Sequence, residues 1–298
     1  MRINPTAPAA ICKRQITCSA DQNDMSDLKI LGIASGKGGV GKTTISTNLA
    51  VALAESGHQV MLFDGDLGLA NAQLSLGIQA DYNFSHVISG EKTLKEIIVR
   101  GPAGLYVVPG ASGVGKMADL NEAELRGVVQ SFSSFDAPLD YLIVDAAAGI
   151  APSVTTFLKA CHQTLVVVRD EPSSIADAYG IIKVLATEHD YTHLGLIPNG
   201  VPDQRAGQLL FQRLNAVCLK FLNVDLEYTY SIETDEMVLE AARKYAPVMT
   251  HSPGSSAARD FRKLAKEVAL LPPVHSGDGG LQFFIERMVS QHSEVQNG

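Results

Sequence analysis

The chain has 298 residues, of which 46% are hydrophobic and 19% are charged, and its formal net charge is -8 at pH 7. Such a chain can bury a substantial core, and its apolar runs are shorter than the roughly 18 residues that a membrane-spanning helix needs. The negative charge argues against a protein that coats DNA, because such proteins gain affinity by neutralising phosphates. We therefore expect one soluble α/β unit that does not bind nucleic acid directly.

The cysteines indicate the redox environment. Cys12, Cys18, Cys161 and Cys218 form no C-x-x-C pair and have no zinc-site spacing. This pattern is typical of unpaired thiols in a reducing compartment rather than of a disulfide framework or an iron–sulfur carrier. We predict a cytoplasmic protein.

Residues 1–27 are predicted to form a disordered tail. They are mostly small and polar, include two prolines and show no sustained hydrophobic period. Their apolar stretch is too short and broken for a secretory signal. Met25 is an alternative start of the chain, which would make residues 1–24 an upstream extension.

From residue 28 onwards, short apolar runs alternate with helical patterns, which is typical of a doubly wound, mostly parallel sheet with helices on both faces. The predicted strands are 28–34, 59–63, 105–109, 141–145, 164–168 and 194–198, with a further candidate at 225–230, and the predicted helices include 44–54, 206–222 and 255–269.

The segment between the first predicted strand and the first predicted helix matches the phosphate-loop pattern G-x-x-x-x-G-K-[ST]. Its glycines allow the backbone to wrap a polyphosphate, and the N-terminus of the following helix attracts the anion. Lys42 is predicted to reach the β- and γ-phosphates, and the Thr43 hydroxyl is predicted to bind Mg²⁺. An ordinary Gly-rich turn is the alternative. The predicted nucleotide-binding residues here are Gly36, Lys37, Gly38, Gly39, Val40, Gly41, Lys42, Thr43 and Thr44.

Polar residues follow several of the predicted strands. Asp64 and Asp66 end the second run, Asp145 ends the run at 141–145, and Asn199 follows 194–198. Ligands of parallel α/β sheets bind beyond the carboxyl ends of the strands. We therefore expect these side chains to share one site with the phosphate loop.

At these residues the chain resembles the deviant Walker A ATPases of the MinD/ParA class, from about residue 28 to the C-terminus. The additional lysine of the loop, Lys37, belongs to that pattern. Within the class, the chain resembles the FlhG/FleN subfamily, which limits flagellar number. Three strings carry this likeness: Asp-Gly-Asp-Leu-Gly-Leu-Ala-Asn at 64–71, Asp-Glu-Pro-Ser-Ser-Ile-Ala-Asp-Ala-Tyr at 170–179 and Leu-Gln-Phe-Phe-Ile-Glu-Arg at 281–287.

The resemblance implies a slow, Mg-dependent ATPase that forms a homodimer with ATP. Lys37 would extend across the dimer interface to the partner's ATP, whereas a solvated loop lysine is its ordinary alternative. Asp66 would position the attacking water, so that Lys37, Lys42 and Asp66 form the implied catalytic set. Asp64 and Asp145 would hold Mg²⁺ together with Thr43, largely through water. Strand-end aspartates that only cap helices are the alternative.

Two further residues are assigned by the resemblance. Gly149 would be the backbone pivot of a switch segment that senses the γ-phosphate, together with Asp66 and Asp145. Asn199 would hydrogen-bond the adenine, and an Asn-Gly turn is its alternative reading. Pro198, directly before Asn199, departs from the family pattern.

The C-terminal region is predicted to contain a linker at 272–280 and an amphipathic helix at 281–292, after an ATPase domain at 28–271. Leu281, Phe284, Ile285 and Met288 share one arc of that helix at about 100° per residue. The resemblance implies that this arc binds the inner membrane when the ATP dimer forms. A helix that docks on its own domain is the alternative.

The implied function is the restraint of flagellar number at the cell pole, with the polar GTPase FlhF and the transcription activator FleQ as partners. FlhG-type proteins often carry an N-terminal Asp-Gln-Ala-x-x-Leu-Arg motif for the GTPase. Here Asp21-Gln22 is followed by Asn23, and the motif does not match, which favours FleQ over FlhF. A cell-division or DNA-partition positioning ATPase, and a nucleotide-dependent scaffold without turnover, remain alternatives.

Overall fold

The computed structural model describes residues 28–66, 71–110, 135 and 137–271. They form a nine-stranded sheet with helices packed on it. The sheet is parallel except for one antiparallel pair at its edge. The predicted α/β class is thereby confirmed.

The strands follow the order β3-β4-β2-β5-β1-β6-β7-β8, and β9 pairs with β7 beside β8. The antiparallel pair is β3–β4; β4 was predicted as the strand at 105–109, whereas the two-residue β3 was not predicted. The strands are β1 (Lys29–Ala34), β2 (Val60–Gly65), β3 (Val99–Arg100), β4 (Tyr106–Val108), β5 (Tyr141–Ala146), β6 (Gln163–Val168), β7 (Leu194–Val201), β8 (Glu227–Tyr228) and β9 (Ile232–Glu233).

The described helices range from single turns to five turns. They are α1 (Lys42–Glu55), α2 (Ala72–Ser75), α3 (Phe84–Ile88), α4 (Leu94–Ile97), α5 (Pro152–Ala160), α6 (Pro172–His189), α7 (Gln204–Leu222), α8 (Glu236–Arg243), α9 (Val248–His251) and α10 (Ser256–Leu270). No described helix combines the length and the apolarity that are needed to cross a bilayer.

Strand residues alternate between two apolar layers, as side chains on a pleated strand must. On β6, Leu165 and Val167 pack in the layer that contains α1 and α10, whereas Val166 and Val168 pack in the layer that contains α6 and α7. The sheet is therefore buried on both faces, and its carboxyl edge is where polar groups can gather.

The predicted strand and helix bounds differ from the structure by one or two residues, which is the usual uncertainty of element ends. The difference is larger at one strand, β7. The strand predicted at 194–198 continues to Val201, because β9 pairs with Asn199 and Val201. Pro198, which has no N–H group, lies between the part of β7 that pairs with β8 and the part that pairs with β9. The candidate at 225–230 forms only the two residues of β8.

The predicted tail at 1–27, the linker at 272–280 and the helix at 281–292 lie outside the described residues. The predicted domain boundaries therefore stay predictions.

Candidate functional site

The phosphate-loop segment connects β1 to α1 at the carboxyl edge of the sheet. Gly39 and Gly41 have φ angles of 81° and 94°, in the left-handed region that side chains other than glycine rarely adopt. At Gly36 the limit is space, because an added Cβ would collide with the backbone of Asp177 in α6. The glycine-rich loop thus begins in close contact with α6 and ends at the N-terminus of α1.

Lys42, the first residue of α1, is buried and forms an ion pair with Asp145 at the end of β5. Lys42 Nζ is 2.9 Å from Asp145 Oδ1, and Ser46 Oγ is 2.7 Å from the same oxygen. Lys42 and Ser46 are four residues apart, so they lie on one face of α1. This face holds the carboxylate of Asp145 from two sides.

Asp64 lies beside Asp145, because β2 and β5 are neighbours and pair these two residues in register. Its oxygens accept hydrogen bonds from the backbone N–H groups of Ala72 (2.9 Å) and Asp66 (3.2 Å). Burial and then the negative charge of Asp145 raise the pKa of Asp64 to about 7, against the opposing effect of those hydrogen bonds and of Lys42. Two buried carboxyl groups therefore share one nearby ammonium group.

Lys37 is exposed and contacts α6. Its Nζ donates a hydrogen bond to Ser173 Oγ (3.1 Å), at the N-terminus of α6. Its own carbonyl accepts a hydrogen bond from Ser35 Oγ (2.9 Å). The Lys37 side chain accordingly lies on the surface next to α6.

Gly149 and Asn199 both contact the segment that carries the loop. Gly149, with φ of 99°, donates its N–H to the carbonyl of Ser35 (2.9 Å). Asn199 Nδ2 donates to the carbonyl of Val40 (2.7 Å), so that this amide is attached to the loop itself. The alternative of an Asn-Gly hairpin turn is wrong, since Asn199 and Gly200 lie within β7.

The residues present fit a nucleotide with a divalent cation. The backbone of the loop and the N-terminus of α1 supply hydrogen-bond donors for phosphate, and Lys42 supplies a positive charge. The Thr43 hydroxyl and the carboxylates of Asp64 and Asp145 are hard oxygen ligands of the kind that Mg²⁺ prefers. Asp66 lies two residues after Asp64, just beyond the end of β2.

Residues 31–248 match the family model described as the CobQ/CobB/MinD/ParA nucleotide binding domain. The chain belongs to this family. Membership in the MinD/ParA family agrees with the loop, the paired aspartates and the parallel sheet, and it confirms the predicted resemblance.

Relatives within the family refine this assignment. The chain is 41% identical to the Antiactivator FleN of Pseudomonas aeruginosa over 90% of this chain and 95% of the relative. It is 34% identical to the Flagellum site-determining protein YlxH of Helicobacter pylori over 74% and 75% of the two chains. The likeness to flagellar regulators of the FlhG/FleN type is thereby confirmed.

A solved structure supports the fold assignment. The septum site-determining protein MinD from Pyrococcus horikoshii, complexed with Mg-ADP, has a TM-score of 0.66 and 26% identity, and the match covers 82% of this chain and 97% of that chain.

The structure brings together Lys42, Asp64, Asp66 and Asp145 beside the loop, and it links Asn199 and Gly149 to the same segment. Their roles in binding and catalysis stay predictions. Leu281, Phe284, Ile285 and Met288, the predicted membrane residues, lie outside the described residues.

Sequence reasoning missed two residues. Ser46 could have been found from its spacing of four residues from Lys42, whereas nothing in the sequence indicated that Ser173 contacts Lys37.

Proposed function

We propose that this protein is a Mg-ATP-dependent switch ATPase that restrains flagellar number. The observation that carries the proposal is the cluster at the carboxyl edge, where Lys42 and two buried carboxyl groups, Asp64 and Asp145, meet beside a phosphate-type loop. A protein that needed this edge only for stability would not bury more negative than positive charge there.

The residues divide the work as follows. The loop backbone and Lys42 bind the phosphates, and Asp145 with Ser46 orients the Lys42 ammonium group. Asp64, Asp145 and Thr43 hold Mg²⁺, which supplies positive charge to the phosphate oxygens. Asp66 orients the attacking water and accepts the proton that this water loses.

Dimerisation would depend on Lys37. Its exposed side chain, which donates a hydrogen bond to Ser173, can exchange that hydrogen bond for a phosphate of the partner's ATP. Two such lysines in a symmetric pair would make ATP the link between the subunits. Asp145 and Gly149 would change conformation when the γ-phosphate is present. Gly149 is placed to do so because it is hydrogen-bonded to Ser35, which lies between β1 and the loop.

The biological role follows from the flagellar relatives. The relative from Pseudomonas is named an antiactivator, which supports a transcription activator of the FleQ type as the partner of the ATP dimer. FlhF is the second proposed partner. A cell-division positioning role is the alternative, and the structural likeness to MinD supports it.

We further propose that residues 281–292 attach the dimer to the inner membrane, so that the protein is peripheral and polar when ATP is bound. Phe284→Glu should abolish co-sedimentation with anionic liposomes and leave ATP-driven dimerisation intact. A variant that instead unfolds at a lower temperature would indicate a helix docked on its own domain.

The function is tested by deleting the gene and counting flagella by electron microscopy. We expect more flagella per cell, restored to normal by the wild-type gene and not by the Lys42→Ala variant. A deletion strain with normal flagella and misplaced septa would assign the protein to cell division instead.

A further inference from the structure

Helix α10 carries a row of cations on its outer side. Four of the chain's 24 Lys and Arg residues lie within 259–266, although the net charge of the protein is -8. They are Arg259, Arg262, Lys263 and Lys266, all exposed apart from the half-buried Arg262. At 100° per residue they lie within an arc of about 100°, and the buried residues Phe261, Leu264 and Val268 lie on the opposite side. Leu270, which is 77% exposed, shares the arc. We call the four cations and Leu270 the α10 outer face.

The charge of this face is little compensated within the described part of the chain. Arg259 and Arg262 donate hydrogen bonds to the carbonyls of Gly254 (2.8 Å) and Pro253 (2.7 Å), which carry no formal charge. The only ion pair that the face forms with a described residue joins Arg262 to Glu55 at 3.7 Å. Surface pairs of this kind contribute little, so the face keeps most of its positive charge.

The two acidic residues of α10 lie outside the outer face. Asp260 is buried, and its carboxylate accepts a hydrogen bond from the backbone N–H group of Glu233 (3.1 Å) in β9. Glu267 is exposed and lies about 40° beyond Lys263 around the helix. The outer face is therefore a basic row that ends in one large apolar side chain, Leu270.

The position of α10 decides where the outer face leads. The helix begins beside Asp235, which follows β9, and it ends beside Lys29 at the amino end of β1. From Arg259 to Leu270 the face extends for about 16 Å along the helix. Leu270 thus lies at the edge of the sheet opposite to the phosphate loop, and a surface that covers this end leaves the nucleotide site open.

An anionic lipid surface matches both the charge and the apolar end of this face. Clusters of roughly four to eight Lys and Arg residues on an amphipathic helix are typical of binding to anionic headgroups, and each cation strengthens the binding about fivefold. DNA matches the charge alone, because a phosphate backbone offers no apolar environment for Leu270. The predicted linker of nine residues at 272–280 spans at most about 30 Å. The outer face and the segment 281–292 can therefore reach the same surface.

We propose that the α10 outer face is an electrostatic contact surface for anionic lipid headgroups. Its cations face the headgroup phosphates, and Leu270 enters the interface at the end of the helix. The inference deepens the proposed attachment of residues 281–292 to the membrane and rests on that attachment. Residues 281–292 contain one Arg and no Lys, so the outer face supplies most of the positive charge, and two weak contacts joined by a short linker bind more tightly than either alone.

The test is co-sedimentation of the full-length protein, with ATP and Mg²⁺, with two kinds of vesicle. One kind is phosphatidylcholine alone, and the other is an equimolar mixture of phosphatidylcholine and phosphatidylglycerol. The Lys263→Glu/Lys266→Glu variant should lose about tenfold or more in affinity for the mixed vesicles at low salt. The difference from the wild type should shrink as salt screens the charges, and binding to phosphatidylcholine alone should not change.

A matched control separates the outer face from the net charge of the protein. Lys95→Glu/Lys183→Glu changes the net charge by the same amount at two exposed lysines on α4 and α6, and it should bind the mixed vesicles as the wild type does. The milder Lys263→Gln/Lys266→Gln variant should show a smaller loss, which keeps the test valid if the glutamates lower the thermal-unfolding midpoint. An equal loss in the control would overturn the inference.

The Phe284→Glu variant distinguishes this inference from the membrane attachment on which it rests. If Phe284→Glu abolishes binding and Lys263→Glu/Lys266→Glu binds as the wild type does, the inference is wrong and the attachment through 281–292 stands. The reverse result would keep the outer face as the lipid contact and refute the attachment through 281–292. Failure of the wild type to bind either kind of vesicle would overturn both.

One further outcome would assign the outer face to a different occupant. If the wild type binds random-sequence duplex DNA but no vesicle, and Lys263→Glu/Lys266→Glu loses that binding, the face contacts nucleic acid and the inference is overturned.

Discussion

Lys29, the first residue of β1, and Lys42, the first residue of the helix that follows it, have different uses. At the amino end of β1, Lys29 Nζ donates to the carbonyls of Ala269 (3.0 Å) and Leu271 (2.8 Å), in the last turn of α10 and just after it. Beyond the carboxyl end of β1, Lys42 pairs with the buried Asp145, which stands in register with a second buried carboxyl group, Asp64. The first contact satisfies the unpaired carbonyls of a helix end, which is a structural need.

The second contact exceeds what stability requires. Asp64 and Asp145 bring two carboxyl groups to one ammonium group, and the cost appears in the pKa of Asp64, which burial and its neighbour raise to about 7. Charge that is imperfectly balanced inside a protein is typical of a site that receives a ligand. The comparison thus separates a lysine that serves the fold from one that serves function, and the following predictions test that separation.

The largest effect should come from Lys37→Ala. The proposed dimer contains two Lys37–phosphate contacts, and hydrogen bonds to charged groups contribute about 1.5–3 kcal/mol each. The variant should therefore remain monomeric in excess ATP, measured by light scattering. Lys95→Ala, which removes another exposed lysine, should dimerise normally. A dimeric Lys37→Ala variant would refute the ATP-bridged dimer and leave Lys42 as the lysine with a function.

Asp66→Ala should slow ATP hydrolysis by about 10²–10⁴-fold, the usual effect of losing a group that handles a proton. Because ATP binding is retained, the variant should accumulate as a stable ATP dimer. Phosphate release measures the first effect and light scattering the second, with the exposed Asp81→Ala as control. Unchanged turnover would show that ATP hydrolysis at the carboxyl edge does not need this aspartate.

Lys42→Ala should weaken ATP binding by on the order of 100-fold, equivalent to about 2.7 kcal/mol. The protein should still unfold cooperatively, since Ser46 keeps its hydrogen bond to Asp145. Isothermal titration calorimetry and thermal unfolding check both points. Wild-type ATP affinity in this variant would end the functional assignment of the loop.

Asp235 tests whether every aspartate near the carboxyl edge takes part in nucleotide binding. It follows β9 near that edge, yet we predict that it only stabilises the folded protein. Its carboxylate accepts hydrogen bonds from Met237 N at the start of α8 (2.9 Å) and from Ala257 N (3.0 Å) and Ser256 Oγ (2.7 Å) at the start of α10. Asp235→Ala removes this shared cap and should destabilise the protein by about 2 kcal/mol without changing ATP affinity. A loss of ATP affinity instead of stability would extend the functional region to this helix junction.

The pH dependence of this contribution has a defined sign. Partial burial would raise the pKa of Asp235, but its hydrogen bonds outweigh burial and lower it. The contribution is therefore fully present above the unfolded-state pKa, near about 3.9, and is lost as the pH falls through the lower folded-state value. The free energies of unfolding of the wild type and of Asp235→Ala, measured with urea, should become equal at acidic pH.

The smallest effect should come from Lys29→Met, which keeps the aliphatic stem and removes two hydrogen bonds to carbonyls. We expect a loss of about 1 kcal/mol of stability. ATP affinity should not change, in contrast to Lys42→Ala. A thermal-unfolding midpoint equal to that of the wild type would mean that water replaces Lys29 at the end of α10.

Local features were predictable because neighbouring residues produce them. The loop at 36–43 could be recognised from glycines that need positive φ angles, and the main strands and helices from their hydrophobic period. Short edge elements such as β3 and β9 could not, since two residues show no period. The extension of β7 to Val201 depends on its pairing with β9, more than thirty residues later in the sequence.

The sequence by itself determined that a phosphate-type loop lies between a buried strand and a helix, and that aspartates end the neighbouring strands. Only the tertiary structure decided that Asp64 and Asp145 stand in register, that Lys42 and Ser46 hold Asp145, and that Asn199 is attached to the loop at Val40. The reason is that these contacts join segments far apart in the chain, as Lys29 joins Ala269 across 240 residues. Such contacts follow from the order of strands in the sheet and the packing of helices on it, which no local pattern encodes.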